Sequence, residues 1–281
     1  EGINEVIEKG HVPINAKTSD EGRTPLHSAG IANHANAIQA LIDLDADINA
    51  TMHNGWNTLQ ILAARGYVSS LKQILKNQPD INKQSNDGSN ALLMAAQCGE
   101  LGTFQTLLNH GADINVRDHQ GHNVLHSAAQ GGHPEIVRLT LAAGIDANDT
   151  SHNGSSALHF SALEGKADAF KVLLENNANL NITNEEGNNT LNMAAQGGNP
   201  AIVQLAIENG VDVNQAGVFG MPPLQNAAIS CQIDAFLTLI NHKADTNVID
   251  QAGINILHAA AEGGHPEIVR IALTKYINID L

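Results

Sequence analysis

Glycines recur in this chain at a constant interval of 33 residues, with no insertion or deletion between one and the next. The series is Gly22, Gly55, Gly88, Gly121, Gly154, Gly187, Gly220 and Gly253. A leucine follows each of these glycines by four residues, from Leu26 to Leu257. A period of this length is typical of repeat proteins, in which one supersecondary unit cannot bury its own apolar face and is stabilised by stacking on its neighbours.

Each repeat also carries signals for two short helices. Residues that favour the N-cap position precede the first helix, at Thr24, Asn57, Asn90, Asn123, Ser156, Asn189 and Asn255. Pro25 stands at the first helical position, where its missing N–H costs nothing. Apolar residues at helical spacing over 136–141 predict a second helix. We expect such helices to end in the left-handed conformation at Gly111, Gly144 and Gly210.

Two segments resemble ankyrin repeats, "GRTPLHSAG" (22–30) and "GHNVLHSAAQGGHPEIVRLTLAAGIDAN" (121–148), and the resemblance extends over the whole chain. It implies an all-α fold, an ankyrin repeat solenoid of stacked helix-turn-helix units with β-turn fingers, as a single domain over 1–281. Residues 1–18 would form a partial N-terminal repeat and residues 19–281 eight repeats. The chain is interpreted as a fragment of a longer protein. Tyr276, which replaces the usual turn glycine, is either a natural cap or the edge of that fragment.

A second period, of 66 residues, overlies the first. It relates Phe104, Phe170 and Phe236 to one another, and likewise Pro134, Pro200 and Pro266. Duplication of a two-repeat block explains this pattern and is the interpretation that we favour. The alternative is that alternate second helices pack differently.

The balance of charge narrows the classes of partner. The chain has 14 Lys and Arg against 29 Asp and Glu, a formal net charge of −15 at pH 7. This excess argues against a general nucleic-acid binder and against binding to anionic membranes, because phosphates attract basic patches. No apolar run approaches the ~20 residues that cross a bilayer.

The sequence contains no phosphate-binding loop, dinucleotide-binding glycine motif or nucleophile elbow. Cys98 and Cys231 lie four repeats apart. At roughly 8–10 Å per stacked helix, that spacing puts them beyond the reach of a disulfide. We therefore expect a protein partner, and neither enzyme activity nor a cofactor.

The halves of the repeats that would line the concave groove of an ankyrin array are acidic. In repeats 3 to 8 these halves contain no Lys or Arg, and they span 85–98, 118–131, 151–164, 184–197, 217–230 and 250–263. Asp87, Glu185 and Glu186 are candidate contacts there, and Arg65 is a basic candidate nearer the N-terminal end. The acids are either merely solvated, as charged faces usually are, or form a mildly acidic groove for a basic or polar protein segment. Association with such a segment should weaken with salt.

Apolar side chains at finger positions are candidate anchors for a partner. They are Trp56, the only tryptophan, and the group Phe219, Met221 and Ile254. Tryptophan is enriched among interface hot spots, and exposed apolar clusters often mark interfaces. The alternative for the segment "VFGMPP" is that it packs onto the neighbouring fingers.

Four histidines fall within "HQGHNVLHSAAQGGH" (119–133), and His122 and His126 have the i, i+4 spacing of a helical metal site. A zinc site needs three or four converging ligands. The resemblance assigns the His126 ring to a hydrogen bond with the finger backbone. We therefore expect no metal, and interpret His119, His122 and the equivalent finger residue His152 as candidate partner contacts.

These features favour a non-catalytic, monomeric protein-interaction scaffold that binds a basic or polar protein segment in the groove and on the fingers. The alternative is a recognition or targeting module of a larger enzyme or secreted effector whose active region lies outside this chain. Asn49, Asn148 and Asn181 begin glycosylation sequons at a turn position that the resemblance makes structural. This favours the cytoplasm, or a host cytosol if the chain is a delivered microbial effector.

Overall fold

The computed structural model describes residues 13–273, and within that range the chain forms sixteen α-helices, two in each of eight repeats. They are α1 (Pro25–Ile31), α2 (Ala35–Asp43), α3 (Thr58–Ala64), α4 (Val68–Leu75), α5 (Ala91–Cys98), α6 (Leu101–Asn109), α7 (Val124–Gly131), α8 (Pro134–Ala142), α9 (Ala157–Leu163), α10 (Ala167–Glu175), α11 (Thr190–Gly197), α12 (Pro200–Glu208), α13 (Pro223–Ile229), α14 (Ile233–Asn241), α15 (Ile256–Gly263) and α16 (Pro266–Ile271). Residues 1–12, most of the expected partial repeat, and Tyr276 lie outside the described residues.

This architecture confirms the all-α expectation. Over residues 13–273 the only strand-like pairing is two isolated bridges, Thr51 with Asn57 and Thr150 with Ser156. None of the helices described here has the length and apolarity that crossing a membrane requires.

The chain divides after Ala128 into two compact units. In the first unit, α1, α3 and α5 pack in succession, and α2, α4 and α6 form a second row. In the second unit, the same two rows consist of α9, α11, α13 and α15, and of α8, α10, α12, α14 and α16. Within each unit, neighbouring helices of a row therefore bury their apolar sides against each other.

Local capping explains where the first helices begin. The predicted N-cap residues are confirmed at Thr24, Asn57, Asn90, Ser156, Asn189 and Asn255. At Asn57, for example, the side-chain oxygen accepts from the Gln60 N–H at 2.9 Å. Leu158 and Leu191, four residues after the repeat glycines, are fully buried. Each such leucine contributes roughly 1.5–3 kcal/mol by leaving water.

The core of the second helices alternates in side-chain size. In the second unit, one position is occupied in turn by Val137, Phe170, Val203 and Phe236, all fully buried. The 66-residue period therefore corresponds to an alternation of large and small residues in one buried row. This finding supports the interpretation that alternate second helices pack differently, and it is compatible with duplication of a two-repeat block.

Six-residue fingers precede the first helices: finger 1 (19–24), finger 2 (52–57), finger 3 (85–90), finger 4 (118–123), finger 5 (151–156), finger 6 (184–189), finger 7 (217–222) and finger 8 (250–255). In fingers 2 to 8 the N–H of the first residue donates to the carbonyl of the fifth, as Ser85 does to Ser89 at 2.8 Å. The fourth residue is the repeat glycine, and Gly88 has a φ of 85°. Single backbone hydrogen bonds join finger 1 to 2, 2 to 3, 3 to 4, 5 to 6 and 7 to 8, as from the Glu185 N–H to the Asn153 carbonyl at 2.9 Å.

The turn after the second helix ties several of the repeats to the next one. The Asn148 N–H donates to the Asp146 carboxylate at 2.9 Å, while the Asn148 side-chain oxygen accepts from the Asn179 N–H at 2.7 Å. Asn82 repeats this arrangement with the Asp113 N–H at 3.0 Å. The structural role that the resemblance implies for this asparagine is therefore observed. The left-handed glycines are confirmed too, with φ of 89° at Gly111, 95° at Gly144 and 92° at Gly210.

Candidate functional site

The candidate contact residues are distributed over both units. The first unit holds Trp56, Arg65, Asp87, His119 and His122, and the second unit holds His152, Glu185, Glu186, Phe219, Met221 and Ile254. All of them except Arg65 lie in fingers. Because consecutive fingers of a unit are hydrogen-bonded to each other, the structure brings neighbouring candidates within each unit into one row.

Asp87 and His119 are part of the finger architecture as well as exposed. The His119 N–H donates to the Asp87 carbonyl at 2.9 Å, and the His119 ring lies over Gly88, where a β-carbon would collide with it. The Asp87 carboxylate accepts from the Ser85 hydroxyl at 2.6 Å and the Ser89 N–H at 3.0 Å. Partial desolvation of the Asp87 carboxylate raises its pKa, but these hydrogen bonds outweigh that effect and hold the pKa below its usual value.

Trp56 and Arg65 also make contacts within the fold. Trp56 is half-buried, and its backbone N–H donates to the Asn54 side-chain oxygen at 3.0 Å. The exposed Arg65 guanidinium donates to the Ile31 carbonyl of the preceding repeat at 3.1 Å. Part of the Trp56 ring and the outer edge of Arg65 therefore remain for a partner.

The histidine-rich segment does not assemble a metal site. His122 Nδ1 lies 2.9 Å from the Asp118 carboxylate, and His126 Nδ1 accepts from the Asn123 N–H at 3.1 Å. The two rings are 6.1 Å apart at their centroids. Over residues 13–273 no group of three or more His, Cys, Asp or Glu side chains is placed to hold a metal ion.

In several repeats the position equivalent to His126 carries a side-chain donor that bonds to the next finger. Gln60 Nε2 donates to the Ser89 carbonyl at 2.9 Å, and Gln225 Nε2 donates to the Ile254 carbonyl at 2.8 Å. His159 occupies the same position, and its burial lowers its pKa to about 4 although the Asn188 carbonyl opposes this shift. Aligning the repeats in register would have shown that glutamine and histidine share this position.

The acidic residues of fingers 6 and 8 differ in their exposure. Glu185 and Glu186 are exposed at the tip of finger 6, and neither pairs with a basic side chain among the described residues. Asp250 instead is buried, and its carboxylate accepts from the Ala252 and Ile254 N–H groups at 2.9 and 2.8 Å. Asp250 therefore closes finger 8 and adds little to an acidic binding surface.

Finger 7 departs from the pattern of the other fingers. The Val218 N–H donates to the Asn188 side-chain oxygen at 3.2 Å, not to a backbone carbonyl of finger 6. Phe219 has φ 54° and ψ 21°, a left-handed conformation that costs a non-glycine residue on the order of 1–3 kcal/mol. Its side chain is 69% exposed, while Met221 and Ile254 are half-buried. The aromatic ring is thus not packed onto the neighbouring fingers.

Sequence reasoning missed one exposed apolar residue beside finger 8. Ile249 is 63% exposed. The equivalent positions of the other repeats carry Thr18, Thr51, Gln84, Arg117, Thr150, Thr183 and Ala216. An isoleucine among mostly polar equivalents was the signal that could have identified it. His152, also exposed, lies at the second position of finger 5, as predicted.

Comparison with known proteins agrees with this geometry. A family model described as "Ankyrin repeats (3 copies)" matches residues 59–151, 92–184, 125–217, 158–250 and 191–281, and one described as "Ankyrin repeat" matches residues 21–53. The crystal structure of the human ASB11 ankyrin repeat domain superposes with a TM-score of 0.67 at 23% identity, covering 77% of this chain and 98% of that one. At that identity the likeness concerns the fold alone. No curated protein sequence matches this chain.

Proposed function

Because this chain belongs to the ankyrin repeat family, whose members are generally protein-interaction modules, we propose that it is a non-catalytic scaffold for a basic or polar segment of a partner protein. The segment binds along the fingers and first helices. One observation carries this proposal: the finger and first-helix halves of repeats 3 to 8 contain no Lys or Arg.

The charges of the second unit support this choice of partner. Glu164, Glu185, Glu186 and Glu262 are exposed on the fingers and first helices. Those basic side chains of this unit that the structure describes lie on or at the ends of the second helices, at Arg138, Lys166, Lys171, Lys243 and Arg270. A partner segment rich in Lys or Arg therefore meets carboxylates alone on the finger side, whereas acids and bases are mixed on the second helices, as in the ion pair of Arg138 with Glu135 at 2.6 Å.

The proposal is tested by identifying a partner through affinity capture and then measuring its binding to the purified chain over a range of salt concentrations. An exposed ion pair contributes only about 0.2–1 kcal/mol, so we expect the loss of two such pairs in Glu185→Gln combined with Glu186→Gln to weaken binding by about two- to thirtyfold. The loss should lie mainly in the association rate, and the salt dependence should become shallower.

A matched control makes the same change in net charge on the second helices instead of the fingers. Glu175→Gln combined with Glu208→Gln removes two exposed carboxylates from the ends of α10 and α12. This pair should leave both affinity and salt dependence unchanged. Equal effects of the two pairs, or an affinity that does not vary with salt, would contradict the proposal. Cytoplasmic location and a monomeric state stay predictions of the sequence.

A further inference from the structure

Phe219 combines a strained backbone with an exposed aromatic ring. Among residues 13–273, seven non-glycine residues have a positive φ, and six of them directly follow or connect helices: Asn33, Asp45, Gln78, Asn177, Cys231 and Lys243. Phe219 is the one that lies in a finger. Strained conformations of this kind cluster at ligand contacts, and neither the strain nor the exposure favours folding.

The backbone of Phe219 is bonded to finger 8, which directly follows the exposed residue Ile249. The Phe219 carbonyl accepts from the Gln251 N–H of finger 8 at 3.0 Å, two residues after Ile249. Phe219 and Ile249 have the largest exposed fractions among the large apolar side chains described, 69% and 63%. Finger 7 and the residue that precedes finger 8 therefore carry the two most exposed large apolar side chains described in the second unit.

Finger 6, which precedes finger 7, is acidic. The Asn188 side chain of finger 6 accepts from the Val218 N–H at 3.2 Å and donates to the Glu186 carboxylate at 3.1 Å. A single amide group thus separates this carboxylate from the backbone next to Phe219, and Glu185 lies beside it. The exposed side chains of this region are therefore acidic in finger 6, aromatic in finger 7 and aliphatic just before finger 8.

We propose that Phe219 is an anchor that enters an apolar pocket on a folded partner protein, and that basic side chains on the rim of this pocket meet Glu185 and Glu186. A ring that projects from a finger tip buries most of its surface only in a concave site, which an extended peptide does not offer. A second copy of this chain is a poorer occupant, because two chains of net charge −15 repel each other. The inference rests on the proposed function in that the partner is a protein.

The decisive variant is Phe219→Gly, since glycine adopts a positive φ without strain. We expect this variant to unfold at a higher temperature than the wild type and yet to bind about tenfold more weakly, as the loss of a hot-spot residue implies. Leu237→Ala is the matched control, because Leu237 is an exposed apolar residue (39%) on α14. It should leave binding unchanged.

The probe is β-cyclodextrin, a small host with an apolar cavity, compared in its neutral form and with amino groups on its rim. Calorimetry should show that the amino host binds the wild-type chain more tightly than the neutral host at low salt. Phe219→Gly should abolish both interactions. The difference between the hosts should disappear in the chain that carries Glu185→Gln and Glu186→Gln.

Three results would overturn the inference. They are unchanged binding of the hosts by Phe219→Gly, equal binding of the two hosts by the wild type, and concentration-dependent self-association that Phe219→Gly abolishes. The last would identify a second copy of the chain as the occupant. If the captured partner binds Phe219→Gly normally but still requires Glu185 and Glu186, the proposed function stands and the anchor is wrong. If neither change affects the partner, the proposed function fails as well.

Discussion

The Nε2 atom of His159 lies 3.2 Å from the backbone carbonyl oxygen of Asn188, so the first helix of repeat 5 is bonded to the finger of repeat 6. The other ring nitrogen, Nδ1, accepts from the Ser156 N–H at 3.0 Å. The two bonds together require a neutral ring with its proton on Nε2. Protonation of the buried ring would remove one of these bonds and place a charge where it has no access to water.

We expect the free energy of unfolding to depend on pH through His159. The pKa of His159 is lowered from 6.5 to about 4 in the folded chain, so the unfolded chain binds more protons between these values. The stabilisation is fully present above pH 6.5 and is lost as the pH falls towards 4, by about 3 kcal/mol. Denaturant unfolding of the wild type and of His159→Gln at several pH values measures this difference.

Glutamine is the appropriate replacement because Gln60 makes both hydrogen bonds at the equivalent position, accepting from the Asn57 N–H and donating to the Ser89 carbonyl. His159→Gln should therefore be close to the wild type in stability at pH 7.5 and exceed it near pH 4.5. His258→Gln, at an exposed equivalent position, is the control and should keep the wild-type pH dependence. Parallel pH curves for all three proteins would refute the role assigned to His159.

Cys231→Gly should stabilise the chain. Cys231 has a φ of 60°, and the equivalent residue of six other repeats is a glycine with positive φ: Gly66, Gly99, Gly132, Gly165, Gly198 and Gly264. Relief of the left-handed strain should outweigh the lost contact between Sγ and the Gly263 carbonyl and the greater freedom of the unfolded glycine. The net gain should be about 0.5–1 kcal/mol in denaturant unfolding.

Cys98→Gly provides the opposite control, because Cys98 is the last helical residue of α5 and its φ is not positive. The substitution also removes a thiol, yet it should destabilise by about 0.5–1 kcal/mol through the helix propensity of glycine. Changes of the same sign at both sites would show that the thiol, and not the backbone conformation, determines the effect.

The alternation of phenylalanine and valine predicts coupling between adjacent second helices. Phe170 and Val203 are fully buried at equivalent positions of α10 and α12, which pack against each other. Phe170→Val should cost about 2 kcal/mol by leaving a cavity, and Val203→Phe about 1–3 kcal/mol by overpacking. The loss of stability in the double variant should be smaller than the sum of the two single losses by at least 0.5 kcal/mol. This is roughly the smallest coupling energy that double-mutant cycles give for contacting residues.

A distant pair serves as the reference for additivity. Phe170→Val combined with Val269→Phe places the two substitutions in repeats 5 and 8. Their changes in the free energy of unfolding should add within about 0.5 kcal/mol. If the adjacent pair were equally additive, the 66-residue period would have no consequence for packing, and duplication alone would account for it.

Asn148→Ala should weaken the link between repeats 4 and 5. It removes the acceptor of the Asn179 N–H, and the loss should be about 1 kcal/mol, the usual contribution of a hydrogen bond. Asn148→Asp keeps an oxygen acceptor and should lose less. Amide hydrogen exchange at Asn179 is the direct readout, and equal exchange in the alanine and aspartate variants would contradict this assignment.

The candidate site divides into a predictable and an unpredictable part for physical reasons. Caps such as Asn57 and left-handed glycines such as Gly111 were predictable, because their chemistry depends on a few neighbouring residues and recurs every 33 positions. The sequence showed which acidic residues lie on the finger side, but it did not show which of their carboxylates are exposed to a partner. Whether a carboxylate binds a partner depends on which backbone N–H groups face it, and Asp250 is buried in such contacts while Glu185 is exposed.

The sequence by itself determined the repeat length, the positions of the paired helices and the acidic character of the finger side, since these follow from local propensity and composition. Only the tertiary structure decided that Phe219 takes a left-handed conformation and is exposed in finger 7, and that Ile249 is exposed just before finger 8. The reason is that backbone conformation and exposure in a finger are set by hydrogen bonds to the adjacent fingers, such as those of Asn188 and Gln251. Those contacts join residues about thirty positions apart, and no local pattern encodes them.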